Sequence, residues 1–342
     1  MGSGWVYPIL RAGLFRLDAE VAHRVGMGAL RLGERTGLLG WVAGRPAGER
    51  PVELMGLRFP NRVGLAAGLD KEGDAVAALG AFGFGFIEIG TITPRPQPGN
   101  PRPRVFRLVD REGIINRMGF NNPGIDAAVE HVRAVRGYRG VIGVNIGRNK
   151  DTPNERAADD YLACFRKAYA HAGYVAVNLS SPNTPGLREL QEADASARLL
   201  AVLKDEQVRL EREHGKKTPL LFKVAPDLDE RSIAALSRVF LDGGLDGLIA
   251  TNTTVSRAEV EGHRHAGEAG GLSGRPLKEM ADRVLGAFAG HLGGRIPLVG
   301  VGGISSVEDA RDKIRLGASL VQIYSSFIYR GPGLVRDLAC SL

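Results

Sequence analysis

At 342 residues the chain can bury one large core or two modest ones, and its 44% apolar and 24% charged residues exclude a disordered or low-complexity protein. The net charge of +7 leaves two readings open, a solvated basic surface or an affinity for anionic partners such as nucleic acid, anionic lipid or phosphate-bearing ligands. The two cysteines, Cys164 and Cys340, exclude a disulfide scaffold and fit a reducing cytoplasm; no signal-peptide core is expected, and no run approaches the ~18 apolar residues of a spanning helix.

Residues 1–45 contain no strand-like run and predict two short amphipathic helices, near Pro8–Phe15 and Asp18–Thr36. Asp18 is placed to cap the second, along which Val21, Val25, Ala29 and Leu32 recur at helical spacing. Arg11, Arg16, Arg24, Arg31, Arg35 and Arg45 outnumber Asp18, Glu20 and Glu34. The pattern suits either a helical hairpin capping the following domain or an interfacial anchor whose apolar face enters lipid beside the arginines.

From about Arg62 the pattern changes to short apolar runs, each followed by a polar or Gly/Pro-rich turn and then a helix-period segment. The runs are 63–68, 85–90, 141–145, 174–178, 220–224, 247–250, 297–301 and 320–324, with helices expected at 125–135, 157–171, 193–213, 229–241, 276–289 and 306–316. Gly, at 47 residues about twice as frequent as usual, falls mostly between these segments and marks tight turns. Strands alternating with helices form parallel sheets buried on both faces. Eight units over roughly 280 residues match a (β/α)8 TIM barrel with a small N-terminal helical extension; an open doubly wound sheet is the alternative. Residues 1–45 then form one segment and 46–342 the barrel.

Polar residues recur at the C-terminal ends of the runs: Asp70-Lys71, Thr91, Asn145, Asn178 to Asn183, Lys223, Thr251-Asn252-Thr253, Gly302-Gly303 and Tyr324-Ser325. Turn formation or helix capping explains one or two of these, but not eight in succession, whereas barrel enzymes build their sites at these strand ends. There is no dinucleotide fingerprint, no Walker loop and no Cys/His cluster with metal spacing; His263 and His265 sit in a Gly-rich loop, where such a pair is more often solvated than metal-bound. Instead the expected pocket offers amides, hydroxyls and ammonium groups. Asn116, Asn145, Asn178, Asn183 and Asn252 match the alternating donors and acceptors of a pyrimidine or flavin edge. Lys71 and Lys223 suit a carboxylate or a reduced cofactor, and the turns after runs seven and eight suit a phosphate.

Several long segments carry a specific resemblance: Leu65-Ala-Ala-Gly-Leu-Asp-Lys71, Gly90 to Asn100, Ile115-Asn-Arg-Met-Gly-Phe-Asn121, Val177-Asn-Leu-Ser-Ser-Pro-Asn-Thr-Pro-Gly186, Lys223-Val-Ala-Pro-Asp227, Ala250-Thr-Asn-Thr-Thr254, Gly271 to Pro276 and Val299 to Gly303. In that order they resemble the dihydroorotate dehydrogenases. The resemblance implies bound FMN and oxidation of (S)-dihydroorotate to orotate in pyrimidine biosynthesis. It assigns FMN binding to Ala67, Gly68, Thr91, Asn145, Asn178, Lys223, Thr251, Gly274, Gly303, Tyr324 and Ser325. It assigns the substrate to Lys71, Asn116, Asn178, Asn183, Asn252 and Thr253, helped by the backbone of Arg117, Met118, Gly119 and Phe120. Ser181 falls at the position of the catalytic base, taking a proton from C5 while C6 gives hydride to the flavin.

The family's cytosolic class has Cys at that position and generally lacks the helical extension, so Ser181 together with residues 1–45 resembles the membrane-associated, quinone-dependent class. His23, Arg107 and Tyr324 match positions lining that class's quinone tunnel. The expected partners are dihydroorotate and orotate, a membrane quinone, and a membrane surface met through the N-terminal helices. A monomer peripheral to the cytoplasmic face of the cell membrane is expected, with no metal and no nucleic acid. The rival readings are a flavin-dependent RNA-modifying reductase, favoured by the basic charge but lacking a Lys/Arg-rich tract, and a non-catalytic membrane-docked protein that keeps the pocket.

Overall fold

The computed structural model describes residues 6–39 and 50–342. Arg45 and the expected boundary after it lie outside the described residues. Two helices come first, α1 (Val6–Leu14) and α2 (Ala19–Arg35). The strands that follow are β1 (Val52–Leu54), β2 (Leu57–Phe59), β3 (Val63–Leu65), β4 (Phe86–Ile92), β5 (Val105–Leu108), β6 (Gly113–Asn116) and β7 (Val141–Ile146). After them come β8 (Tyr174–Asn178), β9 (Leu220–Val224), β10 (Gly247–Ala250), β11 (Gly271–Gly274), β12 (Leu298–Val301) and β13 (Leu320–Ile323).

The eight apolar runs supply the strands of one closed parallel barrel, β3, β4, β7, β8, β9, β10, β12 and β13 in that order, and the open-sheet alternative is set aside. Closure is direct: Val63 to Leu65 of β3 pair in register with Val321 to Ile323 of β13. The intervening helices turn one apolar stripe to the strands, as Ile125, Ala128 and Val132 do in Ile125–Ala134. Asp229 and Ser306 cap their helices by accepting from the amides of Ser232 and Asp309.

The lower half of the barrel is apolar and filled. Phe59, Phe86, Tyr174, Leu221, Ile249, Val299 and Leu320 form one buried cluster, with Phe59 and Phe86 edge to face at 5.4 Å. Gly64 makes room for this packing, because a Cβ there would come 2.3 Å from the Phe86 ring. Phe59 belongs to an antiparallel hairpin, β1 with β2, that the sequence reading did not anticipate. A second unanticipated element is the antiparallel sheet β5–β6–β11, in which Asn116 pairs with both Val105 and Gly271.

The N-terminal helices lie where expected, and Asp18 caps α2 by accepting from the amides of Glu20 and Val21. Polar clamps fix the pair to the barrel. Tyr7 donates to the Ile328 carbonyl at 2.5 Å and Arg11 to the Tyr329 carbonyl at 2.6 Å. Arg31 pairs with Asp74 at 2.6 Å, and Glu20 with the buried Arg104 at 2.7 Å. The outer face mixes apolar with charged side chains such as Arg24 and Arg35: of ten large apolar side chains standing exposed among the described residues, six are Ile9, Leu10, Leu17, Val25, Leu32 and Leu38. The stripe Val25, Ala29, Leu32 therefore faces outward, while Ala22 and Met27 pack inward.

Candidate active site

A cavity open to solvent lies at the C-terminal ends of the barrel strands. Ten of the expected cofactor residues line it: Ala67, Gly68, Thr91, Asn178, Lys223, Thr251, Gly274, Gly303, Tyr324 and Ser325. Of the expected substrate residues, Lys71, Asn116, Met118, Gly119, Phe120, Asn178, Asn183, Asn252 and Thr253 line the same space, as does Ser181. One cavity thus gathers residues that stand up to 258 positions apart in the chain.

Four expected residues stand off its wall. Asn145 is fully buried behind Thr91, accepting from the Thr91 hydroxyl at 2.6 Å. The Arg117 side chain turns away to pair with Glu268 at 2.7 Å and to stack 4.6 Å above the Phe106 ring. Arg107 lies over the Phe15 ring at 4.7 Å and donates to the carbonyls of Leu14 and Leu17, tying the turn between α1 and α2 to β5. His23, on α2, is largely enclosed; burial, reinforced by Lys71, pulls its pKa down to about 4.

The amides on the wall orient one another. Asn178 Nδ2 donates to Thr91 Oγ1 at 2.9 Å, and Asn252 Nδ2 donates to Asn178 Oδ1 at 3.2 Å and to Ser180 Oγ at 3.0 Å. Asn183 Nδ2 donates to Asn116 Oδ1 at 3.3 Å. Each side chain is held in one orientation before any ligand arrives, the preorganisation that a heterocycle's edge requires. Ser181 sits at the centre, buried, with its Oγ accepting the Asn183 N–H at 3.3 Å, and Pro182 and Pro185 stiffen the loop that presents it. Three residues on, the Thr184 hydroxyl is buried without a hydrogen-bond partner.

Charge at the site is tuned by burial. Desolvation, with Arg104 adding to it, pushes the Lys71 ammonium down to about 7, while Lys71 donates to Asn121 Oδ1 at 3.3 Å. Burial alone pushes the Tyr324 hydroxyl up to about 12, so it stays protonated. Asp70 is pushed up to about 6 by burial and accepts from the Gly73 and Ala75 amides, shaping the turn that carries Lys71.

Beneath the cavity lies a group that sequence reasoning missed. Glu88 is fully buried in β4, accepting from Asn145 Nδ2 at 2.8 Å, Tyr174 OH at 2.9 Å and Gln322 Nε2 at 2.8 Å, with Lys223 Nζ at 3.4 Å. Its only signal in the sequence is a lone carboxylate inside an apolar strand, Phe86-Ile-Glu-Ile89. Gln322 also lines the cavity and keeps its Oε1 buried without a partner. Ser273, another missed lining residue, shares a 2.8 Å hydrogen bond with Ser325. Among the described residues no group of three His, Cys, Asp or Glu side chains converges as a metal site; His263 instead lies 3.1 Å from Asp110.

A family model described as dihydroorotate dehydrogenase matches residues 51–342. The chain belongs to the dihydroorotate dehydrogenase family. It is 58% identical over 332 residues to a protein of Akkermansia muciniphila named dihydroorotate dehydrogenase (quinone), covering 97% of this chain and 95% of the relative. A protein of Thiobacillus denitrificans with the same name is also 58% identical, covering 97% of this chain and 98% of the relative. Among solved structures, a crystal structure of DHODH from Eimeria tenella in complex with ferulenol superposes with a TM-score of 0.85 at 38% identity, covering 94% of this chain and 90% of that one.

Membership in this family implies a flavin, and the residues present fit one. The unpaired Gln322 Oε1 can accept from a ring N–H, and Lys223 supplies a cation beside it. Ser325 and Ser326 open the helix Ser325–Arg330, whose first amides have no intrahelical partner and border the cavity together with Gly303.

Proposed function

We propose that the protein oxidises (S)-dihydroorotate to orotate in pyrimidine biosynthesis, with FMN as its flavin and a membrane quinone as electron acceptor. The observation that carries this reading is the convergence of Ser181, Lys71 and the mutually oriented amides of Asn116, Asn178, Asn183 and Asn252 in one cavity. The relatives named dihydroorotate dehydrogenase (quinone) match along nearly their whole length, which supports the choice of acceptor.

In this reading the four amides grip the N–H and C=O edges of the substrate ring, with the backbone of Arg117 to Phe120 helping, and Thr253 completes the wall. Lys71 pairs with the substrate carboxylate. Ser181 Oγ takes the proton from C5, and the unpartnered Thr184 hydroxyl is the group in the same loop suited to pass it outward. A bound flavin would supply the hydride acceptor for C6 and the link for electrons to the acceptor. Ala67, Gly68, Thr91, Asn178, Lys223, Thr251, Gly274, Gly303, Tyr324 and Ser325 hold it, with Asn145 bracing Thr91 from behind. The phosphate of FMN suits the amides at Gly303 and Ser325.

Residues 1–45 form the acceptor-side segment and 46–342 the flavin barrel. The outward apolar side chains of α1 and α2 enter the cytoplasmic face of the cell membrane as a peripheral attachment, and no described helix is long and apolar enough to cross it. His23, Arg107 and Tyr324 border the quinone's route, and the protein works as a monomer. The test is orotate formation: anaerobic mixing of the yellow protein with dihydroorotate yields one orotate per flavin bleached. Absence of orotate overturns the activity.

A further inference from the structure

The barrel-facing side of α2 carries a connection to the substrate wall that clamping alone does not call for. Glu20, a buried carboxylate, meets Arg104 in a fork, with Nε at 3.2 Å and Nη2 at 2.7 Å, while Arg102 reaches it at 3.0 Å. Burial pushes the Glu20 carboxyl up, but the two arginines outweigh it and hold the group below its usual range. The remaining arm of Arg104 does not stop at the helix. Its Nη1 donates to the carbonyls of Pro98 at 2.7 Å and Asn100 at 2.9 Å, and its own carbonyl accepts the Arg117 N–H at 2.8 Å.

Asn100 then holds both walls of the substrate site. Its backbone N–H donates to the Met118 carbonyl at 3.0 Å. Its side-chain Nδ2 donates to the carbonyls of Arg117 at 3.0 Å and Asn183 at 3.2 Å. The fit leaves no slack: a Cβ on Gly119 would lie 2.7 Å from the Asn100 amide carbon, and one on Gly99 would lie 2.3 Å from the Met118 carbonyl oxygen. An unbroken series of hydrogen bonds therefore runs from Glu20 through Arg104 and Asn100 to the segments carrying Met118, Gly119 and Asn183. A separate ion pair of α2, Arg31 with Asp74, secures the same helix but ends on a more exposed carboxylate outside this series.

We propose that Arg104, oriented by Glu20, is a positioning residue for the substrate wall, so that the N-terminal helix pair sets substrate affinity as well as serving the acceptor side. This rests on the dihydroorotate reading of the cavity. Loss of the Glu20 charge frees the Arg104 fork, lets the loop 98–100 shift, and widens the space between Met118 and Asn183; the reacting atoms themselves are untouched.

The test is calorimetric titration of orotate into the full-length flavoprotein in detergent, comparing wild type with Glu20→Gln, Glu20→Asp and Arg31→Gln, each checked by thermal melting. Glu20→Gln should bind orotate at least ~5-fold more weakly, the low end of ordinary coupling between sites, and show a matching rise in KM for dihydroorotate. The rate of flavin reduction at saturating substrate should stay within about twofold, since binding rather than chemistry is lost. Glu20→Asp should recover part of the affinity, and Arg31→Gln should bind as wild type does. Equal affinity in wild type and Glu20→Gln overturns the proposal, as does an equal loss in Arg31→Gln, which would mean mere loosening of the helix. Should Glu20→Gln fail to fold, Asn100→Ser reads the same series from its far end, and wild-type affinity there overturns the proposal. A wild type that does not bind orotate overturns the underlying reading, and this inference with it.

Discussion

The barrel and the N-terminal helix pair solve opposite problems with the same residue types. In the barrel, apolar side chains face inward and polar groups are gathered at one end, where each is oriented by another, as Asn252 orients Asn178 and Asn178 meets Thr91. In the helix pair, polar groups face inward, with Glu20, Arg31, Tyr7 and Arg11 clamped to the barrel, while Leu10, Val25 and Leu32 face out. The same residue types thus build an inward-facing polar pocket in one region and an outward-facing set of apolar side chains in the other.

The largest effect is expected at Ser181. Ser181→Ala should retain flavin and keep its fold, yet reduce flavin at a rate lower by roughly 10²–10⁴, the worth of a general base; stopped-flow bleaching at unchanged flavin content checks this. Next in size is the buried charge beneath the cavity. Glu88→Gln leaves Lys223 without its partner in a fully buried setting, and breaking such a pair costs about 3–5 kcal/mol. Flavin loss and a lowered melting temperature should appear together, with no change in vesicle binding.

The helix pair predicts the reverse pattern. Leu10→Ser with Leu32→Ser should weaken binding to anionic vesicles about tenfold, since each side chain gives up part of the ~1.5–3 kcal/mol available from burial. Quinone turnover should fall with it, while bleaching by dihydroorotate is unchanged. The smallest effect is titration at Lys71. Its free ammonium lies near 7, and pairing with a substrate carboxylate raises it. Orotate binding therefore takes up a proton, and affinity should fall as pH rises from 7 to 8.5, by at most tenfold per unit. Calorimetry in two buffers of different ionisation enthalpy measures that proton, and Lys71→Met should abolish the pH slope.

The barrel was legible because each of its eight strands lies in a run rich in apolar residues, and Val177 to Asn183 was legible as part of the pocket wall because its polar residues are neighbours in sequence. The hairpin of β1 and β2 and the sheet of β5, β6 and β11 were not, since strands of three or four residues carry too little periodicity to register. Glu88 escaped for a different reason: its partners Asn145, Tyr174, Lys223 and Gln322 come from four other strands. Arg104 likewise looks like one more surface cation until Glu20 and the carbonyls of Pro98 and Asn100 surround it. Helix α2 was half legible. Its period was clear, but the stripe of Val25 and Leu32 proved to face away from the protein, because the buried side is built on Glu20, Ala22 and Met27.

In the proposed arrangement a dihydroorotate site and a membrane-facing acceptor side share one flavin. The most direct test is reoxidation: bleach the protein anaerobically with one equivalent of dihydroorotate, then add quinone in vesicles, fumarate or NAD⁺ separately. The yellow colour should return promptly with quinone alone; reoxidation by fumarate or NAD⁺ but not by quinone would overturn the shared-flavin arrangement.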